Sequence, residues 1–309
     1  MRITDESQNL CYKVAMKKIC IVGARGMVGS ELSRVLKSKG YQVLETSVRS
    51  NPLKNPDPSM ESKITEADVV VNLAGEPIFG KRWTDLIKSE IYDSRVHGTE
   101  QIIAALKKAK EKNPKHQPTL INASAIGFYG STGETLLDES MEAGHDFMAF
   151  VVKDWEEAAF KAKHVLGLRT VVFRIGVVLA KSGGALQKML LPFKLGLGGP
   201  INFGNQWFSW VHLDDLVSMI LFAIENPLDG VYNACSPTPV RNKEYTHALG
   251  RVLSRPTLFP IPGLGLRAMF GEVSAVLTAS QRTTSEKILE AGYKFKHPHL
   301  EEALKSILQ

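Results

Sequence analysis

The sequence predicts an α/β fold, a doubly wound parallel sheet with a smaller C-terminal substrate lobe. Two observations carry that expectation. Continuous apolar runs alternate with helical patterns through the first two-thirds of the chain, as strands covered on both faces require. After about residue 183 the texture changes to glycine and aromatic residues, as in "GLGLGGPINFGNQWFSW", with proline recurring in "RPTLFPIPG".

The elements follow in order. "KICIVG" is a buried strand, and "MVGSELSRVLKSKG" an amphipathic helix that stops at Gly40. "YQVLETSV" is a second strand. Residues 50–60, "SNPLKNPDPSM", contain three prolines and are expected to form a loop. "ADVVVNLAG" is a fully apolar strand, and "EIYDSRVHGTEQIIAALKKAK" a long helix. "TLINAS", a helix over 147–165 and "RTVVFRIGVVL" complete the alternation, and the chain returns to the sheet near "GVYNAC".

Between the first strand and its helix, "GARGMVG" sets Gly23, Gly26 and Gly29 around Arg25 and Met27. Gly23 permits the tight turn, Gly26 lets backbone N–H groups approach a pyrophosphate, and Gly29 lets helix and strand pack closely. The anion then rests on the helix N-terminus. A glycine pattern alone is weak evidence; the strand before it and the helix after it make a dinucleotide site the expectation. The second strand ends near Ser47, which is uncharged, with Glu45 two residues earlier. Arg25 and Arg49 could both reach a 2′-phosphate, so NADP is the expected cofactor. Leu73, Ala74 and Gly75 of "NLAG" end the next strand with small residues that allow the backbone near the cofactor. The resulting division is an extension over 1–15 and an NADP-binding domain over 16–183, its sheet completed by 211–236. Residues 184–210 and 237–309 form the small lobe.

The chain has 309 residues, 44% hydrophobic and 23% charged, ordinary for a globular protein. Its net charge of +6 is scattered, with no run of five like charges, so a nucleic-acid partner is not expected. Cys11, Cys20 and Cys235 form no metal-binding spacing, and neither a zinc site nor a disulfide framework is legible. No apolar run has the length of a membrane span, and residues 1–15 lack an apolar signal core. These features fit a cytoplasmic protein, monomer or homodimer, with a small-molecule substrate.

With "GARGMVG", "NLAG", "NASAIGFYG" and "RIGVVL" in order, the chain resembles the extended short-chain dehydrogenase/reductase superfamily. "GEPIFGKRWT", "SRVHGT", "DWEEAA", "GGALQKMLLPFKLGLGGP" and "QWFSWVHLDDLV" are similar to an atypical NAD(P)-dependent epimerase/dehydratase subgroup usually labelled epimerase-family proteins. Some of its bacterial members carry a cell-division-inhibitor label. The resemblance runs from about Lys17 onward and implies a Rossmann-type domain, nicotinamide dinucleotide binding and no known substrate. It also implies a Ser, Tyr and Lys catalytic set, in which the Lys lowers the pKa of the proton-donating Tyr. Ser124 matches the Ser, and Lys153 the Lys, with Glu157 four residues on; the Tyr position is then Ala149. Tyr129, on the loop after "TLINAS", could compensate. Arg95 stands where many relatives carry Asn and is expected to meet a phosphate or carboxylate of cofactor or substrate, or a structural acid. Trp207, Phe208 and Trp210 either line the substrate pocket or pack between lobes. His212 and Asp214–Asp215 introduce a helix, with Asp as N-cap and no metal role expected. The implied function is an NADP(H)-binding oxidoreductase or epimerase; the alternative is a non-catalytic NADP(H)-binding redox sensor or regulatory protein.

Overall fold

The computed structural model describes residues 17–47 and 58–309. Residues 1–15, Arg49 and most of the expected 50–60 loop lie outside the described residues. The chain begins β1 (Lys18–Val22), α1 (Met27–Ser38), β2 (Gln42–Thr46), α2 (Pro58–Glu66), β3 (Val69–Asn72) and α3 (Asp85–Lys112). It continues through β4 (Thr119–Ala125), β5 (Leu136–Leu137), α4 (Phe147–His164), β6 (Thr170–Ile175), β7 (Val177–Leu179) and α5 (Gly184–Lys194). Then come β8 (Trp207–Phe208), β9 (Trp210–His212), α6 (Leu213–Glu225), β10 (Gly230–Ala234), β11 (Val240–Arg241) and α7 (Asn242–Leu253). Last are α8 (Gly263–Phe270), α9 (Ser274–Thr278), β12 (Arg282–Thr283), α10 (Glu286–Glu290) and α11 (Leu300–Leu308).

Six parallel strands form the central sheet in the order β10-β6-β4-β3-β1-β2. The winding reverses between β1 and β3, and in such sheets the ligand crevice opens at the carboxyl ends of the strands beside that reversal. Alternation along each strand separates two cores. Ile19, Ile21, Val69, Val71, Ile121 and Phe173 face α1 and α6, meeting Leu32, Leu36, Leu216 and Ile220. Cys20, Val22, Val70, Leu120 and Val172 face α2, α3 and α4, meeting Ile64, Ile102, Leu106 and Ala159. Cys20 is therefore packing, and burial pushes its thiol up to about 12.

Local chemistry moves several boundaries from their sequence expectations. Helix α2 starts at Pro58, inside the expected loop, because proline suits the first helical turn, where its missing N–H has no partner to lose. Helix α3 begins earlier than its apolar pattern, capped by Thr84, whose side chain accepts from the Ile87 N–H. The run "RTVVFRIGVVL" is two strands, because the chain leaves the sheet at Gly176. A Cβ there would stand 2.8 Å from both Cys235 Sγ and the Ser209 carbonyl oxygen. Strand β7 then pairs with β9 outside the main sheet. With α5, α7 and α11 it builds a separate core from Leu179, Leu186, Phe193, Trp210, Tyr245, Leu249 and Leu304. The glycine run in this region serves close packing: a Cβ on Gly198 would meet the Phe193 ring at 2.4 Å, and one on Gly199 the Phe259 carbonyl oxygen at 1.7 Å.

The N-cap of α6 is His212, where Asp was expected: its Nδ1 accepts the Asp214 N–H at 3.0 Å. Asp215 faces inward and accepts the N–H groups of Lys296 (2.7 Å) and His297 (2.9 Å), pinning that segment to the helix start. The His212 and His297 rings lie 3.9 Å apart. Burial, helped by His297, lowers the His212 pKa from 6.5 to about 4. Between these values the unfolded chain binds the proton and the native chain does not, so this contribution is complete above pH 6.5 and is lost as pH falls towards about 4. The loss should reach about 2–3 kcal/mol. Urea midpoints measured at neutral and acid pH should show a steeper loss in wild type than in His212→Asn, which keeps a cap but cannot titrate. Equal slopes would mean that His212 titrates alike in the native and unfolded chains.

Candidate functional site

The β1–α1 connection is built for close approach. Gly23 has φ +89°, and a Cβ on it would lie 2.8–2.9 Å from the backbone of Leu73 and Ala74. A Cβ on Gly29 would lie 2.3 Å from the Gly23 carbonyl oxygen. Gly26 caps α1 with extended backbone and no side chain over the helix N-terminus. Met27 folds against the start of α5, with its Sδ 3.1 Å from where a Gly183 Cβ would be. The Leu73 N–H donates to the Val22 carbonyl at 2.8 Å, so "NLAG" turns beside the glycine loop. Asn72 fixes that turn, bonding Thr99 and Asn122 through Nδ2 and accepting the Ala74 N–H.

At the end of β2, Glu45 is already engaged. Its Oε1 accepts from Ser33 (2.6 Å) and from Lys37 (2.5 Å). These two bonds, together with the charges of Lys37 and Arg25, hold its pKa below the usual carboxylate value. Lys63 on α2 donates to the Glu45 carbonyl at 2.9 Å, a cation that sequence reading missed because its helix was hidden beside the proline loop. Ser47, just past the strand, is partly exposed.

Arg95 comes from α3 and lies against exposed Gly75, where a Cβ would be 3.1 Å from Cζ. Its Nη1 donates to the Ile91 carbonyl and its Nη2 to that of Glu76, both at 3.1 Å. Its Cζ lies 5.3 Å from the Trp155 ring. Burial draws its pKa down to about 10, so it remains charged at neutral pH.

Ser124 and Tyr129, expected as catalytic hydroxyls, are drawn instead into a closed buried network. Ser124 Oγ donates to Glu156 Oε1 at 2.5 Å. Arg174 grips the same carboxylate bidentately, at 2.9 and 2.8 Å, and donates through Nη1 to the Tyr129 hydroxyl at 3.0 Å. Tyr129 donates in turn to Asn233 Oδ1 at 2.8 Å. Each hydroxyl hydrogen is thus committed to a protein acceptor. Burial pushes Tyr129 up to about 12 against the pull of Arg174, which makes it a poor acid near neutrality.

Lys153 does not reach this network: it is 56% exposed and lies 3.9 Å from Glu157 on the outer face of α4. The acid that meets β4 and β6 is Glu156, one residue before Glu157, which rotates the helix register by about 100°. Four and eight residues before Glu156 stand Val152 and Met148, both buried over the turn after β4. A Cβ on Gly127 would be 3.7 Å from Met148 Cβ and 4.0 Å from Val152 Cγ2. Counted from Glu156 in place of Glu157, the positions four and eight residues earlier are Val152 and Met148, with Ala149 buried beside them.

Phe208 packs in the lobe core, 4.4 Å from the Tyr245 ring centroid. Trp207 lies between the guanidinium groups of Arg241 (4.4 Å) and Arg282 (4.6 Å) and donates to Glu134 at 3.0 Å. Both aromatics have protein partners of their own. His212, Asp214 and His297 have potential ligand atoms within 4.8 Å of one another. Lys296 lies 3.0 Å from Asp214 and α6 presents its N-terminus there, both unfavourable to a cation.

A glycine-turned first connection at the reversal of a six-stranded parallel sheet is the arrangement of a Rossmann-type dinucleotide-binding protein. The chain belongs to the NAD dependent epimerase/dehydratase family, whose model matches residues 19–235; a domain of unknown function, DUF1731, matches residues 261–307. It is 36% identical to the epimerase family protein SDR39U1 homolog, chloroplastic, of Arabidopsis thaliana, over 96% of this chain and 88% of that protein. It is 36% identical to the epimerase family protein YfhF of Bacillus subtilis, over 94% and 97%. The crystal structure of human epimerase family protein SDR39U1 with NADPH is similar at a TM-score of 0.82 and 33% identity, covering 94% of this chain and 98% of that one.

The buried network makes a stability prediction. Glu156→Ala leaves Arg174 as an uncompensated buried charge and should cost about 3–5 kcal/mol, whereas Ser124→Ala and Tyr129→Phe should each cost about 1 kcal/mol. Urea denaturation of the three variants checks the ranking, and a Glu156→Ala cost no larger than the other two would contradict it.

Proposed function

We propose that the protein binds NADP(H) across the β1–α1 loop and acts as an oxidoreductase or epimerase on a small molecule. The observation that carries the cofactor choice is Glu45. It is the one acid of β2, two residues before the uncharged Ser47, and Ser33 and Lys37 occupy it. Arg25 and Lys63 adjoin the same residue, a setting suited to a 2′-phosphate. The human relative crystallised with NADPH supports this reading. The proposed contacts are the backbone of Gly23, Gly26, Met27 and Gly29 for the pyrophosphate, Arg25 and Ser47 for the adenosine phosphate, and Leu73, Ala74 and Gly75 beside the ribose.

When bound, NADPH supplies a hydride. The chain's part is to hold and shield the reacting groups. Met148 and Val152 exclude water and move no proton, and Ser124 can accept a hydrogen bond but has committed its own to Glu156. A proton needed by the product would then come from solvent or from the substrate itself. General acid catalysis is worth a factor of about 10² to 10⁴, so turnover by this route would be slower by about that factor. Among the described residues no helix is long and apolar enough to cross a membrane. Cys20 and Cys235 are buried free thiols, which favours a reducing compartment such as the cytoplasm.

Fluorescence titration should give tighter binding of NADPH than of NADH. Arg25→Ala should weaken NADPH about tenfold and leave NADH nearly unchanged. Equal affinities for the two nucleotides in wild type would return Glu45 to the ribose and defeat the NADP reading.

A further inference from the structure

Buried Arg174 and part-buried Arg95 are partnered in opposite ways. Arg174 receives a full carboxylate partner, with both oxygens of Glu156 in bidentate contact and neither side chain more than 6% exposed. Arg95 receives two backbone carbonyls, which bear only partial charge, and those bonds use two of its five N–H donors. Among the described residues no Asp or Glu forms an ion pair with it. The nearest acid to influence it is Glu76, which bonds Arg95 through its backbone carbonyl. Removing a guanidinium from water without an acid costs several kcal/mol. Arg174 receives that acid, and part-buried Arg169 gathers three backbone carbonyls on Nη1 and Thr119 on Nε, a fuller set of acceptors than Arg95 has.

The surroundings of Arg95 keep it reachable. Gly75 is exposed and stands just past β3, at the sheet edge where the nucleotide crevice opens, and any larger residue there would crowd Cζ and Nη2. Trp155 holds the guanidinium from α4, and the Trp155 indole N–H is itself fixed on Thr99 at 3.0 Å. The result is a positioned cation, short of an anion, beside the crevice at the end of β3.

We propose that Arg95 binds an anionic group, a carboxylate or a phosphate ester, on the substrate. The proposal rests on the dinucleotide reading above and adds to it the chemical class of the second ligand. A planar fork with free donors suits bidentate recognition of either group. The dinucleotide's own phosphate is the other source of the same chemistry, and the experiment separates the two.

Protein loaded with NADPH is titrated with succinate and with inorganic phosphate, reading nicotinamide fluorescence, for wild type, Arg95→Gln and Arg95→Lys. The expected result is a saturable response in wild type that weakens about tenfold or more in Arg95→Gln, with NADPH affinity held within about twofold. Arg95→Lys should fall between them, since it keeps the charge and loses the fork. The melting temperature of Arg95→Gln should not fall. A tenfold loss of NADPH affinity in Arg95→Gln would give Arg95 to the cofactor and overturn the proposal. So would a lowered melting temperature with unchanged anion binding, or the absence of any saturable response in wild type. If wild type takes no NADPH at all, the dinucleotide reading fails separately, and the same anions titrated against tryptophan fluorescence of the free protein still decide the role of Arg95.

Discussion

Arg174 and Glu156 hold one another across the interior between β6 and α4, and the upper half of the molecule is arranged around that contact. Two charges taken out of water require near-ideal geometry and further hydrogen bonds to break even. Ser124 from β4, Tyr129 from the turn after it and Asn233 from β10 supply those bonds or extend them. Three neighbouring strands and one helix are therefore joined at this end of the sheet by polar contacts, which add to the register that the two apolar cores already impose. The Phe128 ring lies 3.4 Å from Arg174 Cζ and covers the guanidinium. The cost of this arrangement falls on chemistry: a serine and a tyrosine that could have faced a substrate are turned inward.

The parts of this design visible in the sequence are those encoded by neighbours. Strands β1, β3 and β4 show as apolar runs because both of their faces are covered, and the spacing of Gly23, Gly26 and Gly29 shows because each glycine answers a local demand of the turn. The register of α4 is written in its apolar spacing rather than in its motif. Met148, Val151, Val152, Trp155, Ala158, Ala159 and Ala162 recur at helical intervals over one half of the helix, a stripe that takes Glu156 to the buried side and leaves Glu157 opposite. Lys153 fits an offset from Glu157, whereas the acid that meets β4 and β6 is Glu156. The fate of Tyr129 depends on Asn233, 104 residues away, and on Arg174, 45 away, partners that no local pattern can announce. The break at Gly176 is concealed for a related reason, since the residues on both sides of it are apolar and only the approach of Cys235 and Ser209 forces the turn.

The charge arrangement around the crevice separates two tasks. At the end of β2 the cations Arg25, Lys37 and Lys63 gather about one neutralised carboxylate, a setting that selects by net charge. At the end of β3 a single guanidinium is fixed in direction by Trp155 and two carbonyls, a setting that selects by geometry. Between them runs the glycine-lined backbone, which recognises neither sign nor shape of a side group and accommodates the shared pyrophosphate.

The lobe core has a consequence for how the chain is made. Leu179, Leu186 and Trp210 are buried against Leu300, Ala303 and Leu304 of α11, which follow them far along the chain. A ribosome delivers residues in order, so the sheet strands up to β6 can pair while that apolar surface still waits for its cover. Until α11 emerges, the nascent chain displays a greasy face of the kind that chaperones engage and that sticks to neighbouring chains. The Asp215 carboxylate, holding the Lys296–His297 segment at the start of α6, fixes where the chain enters α11 once that helix is made.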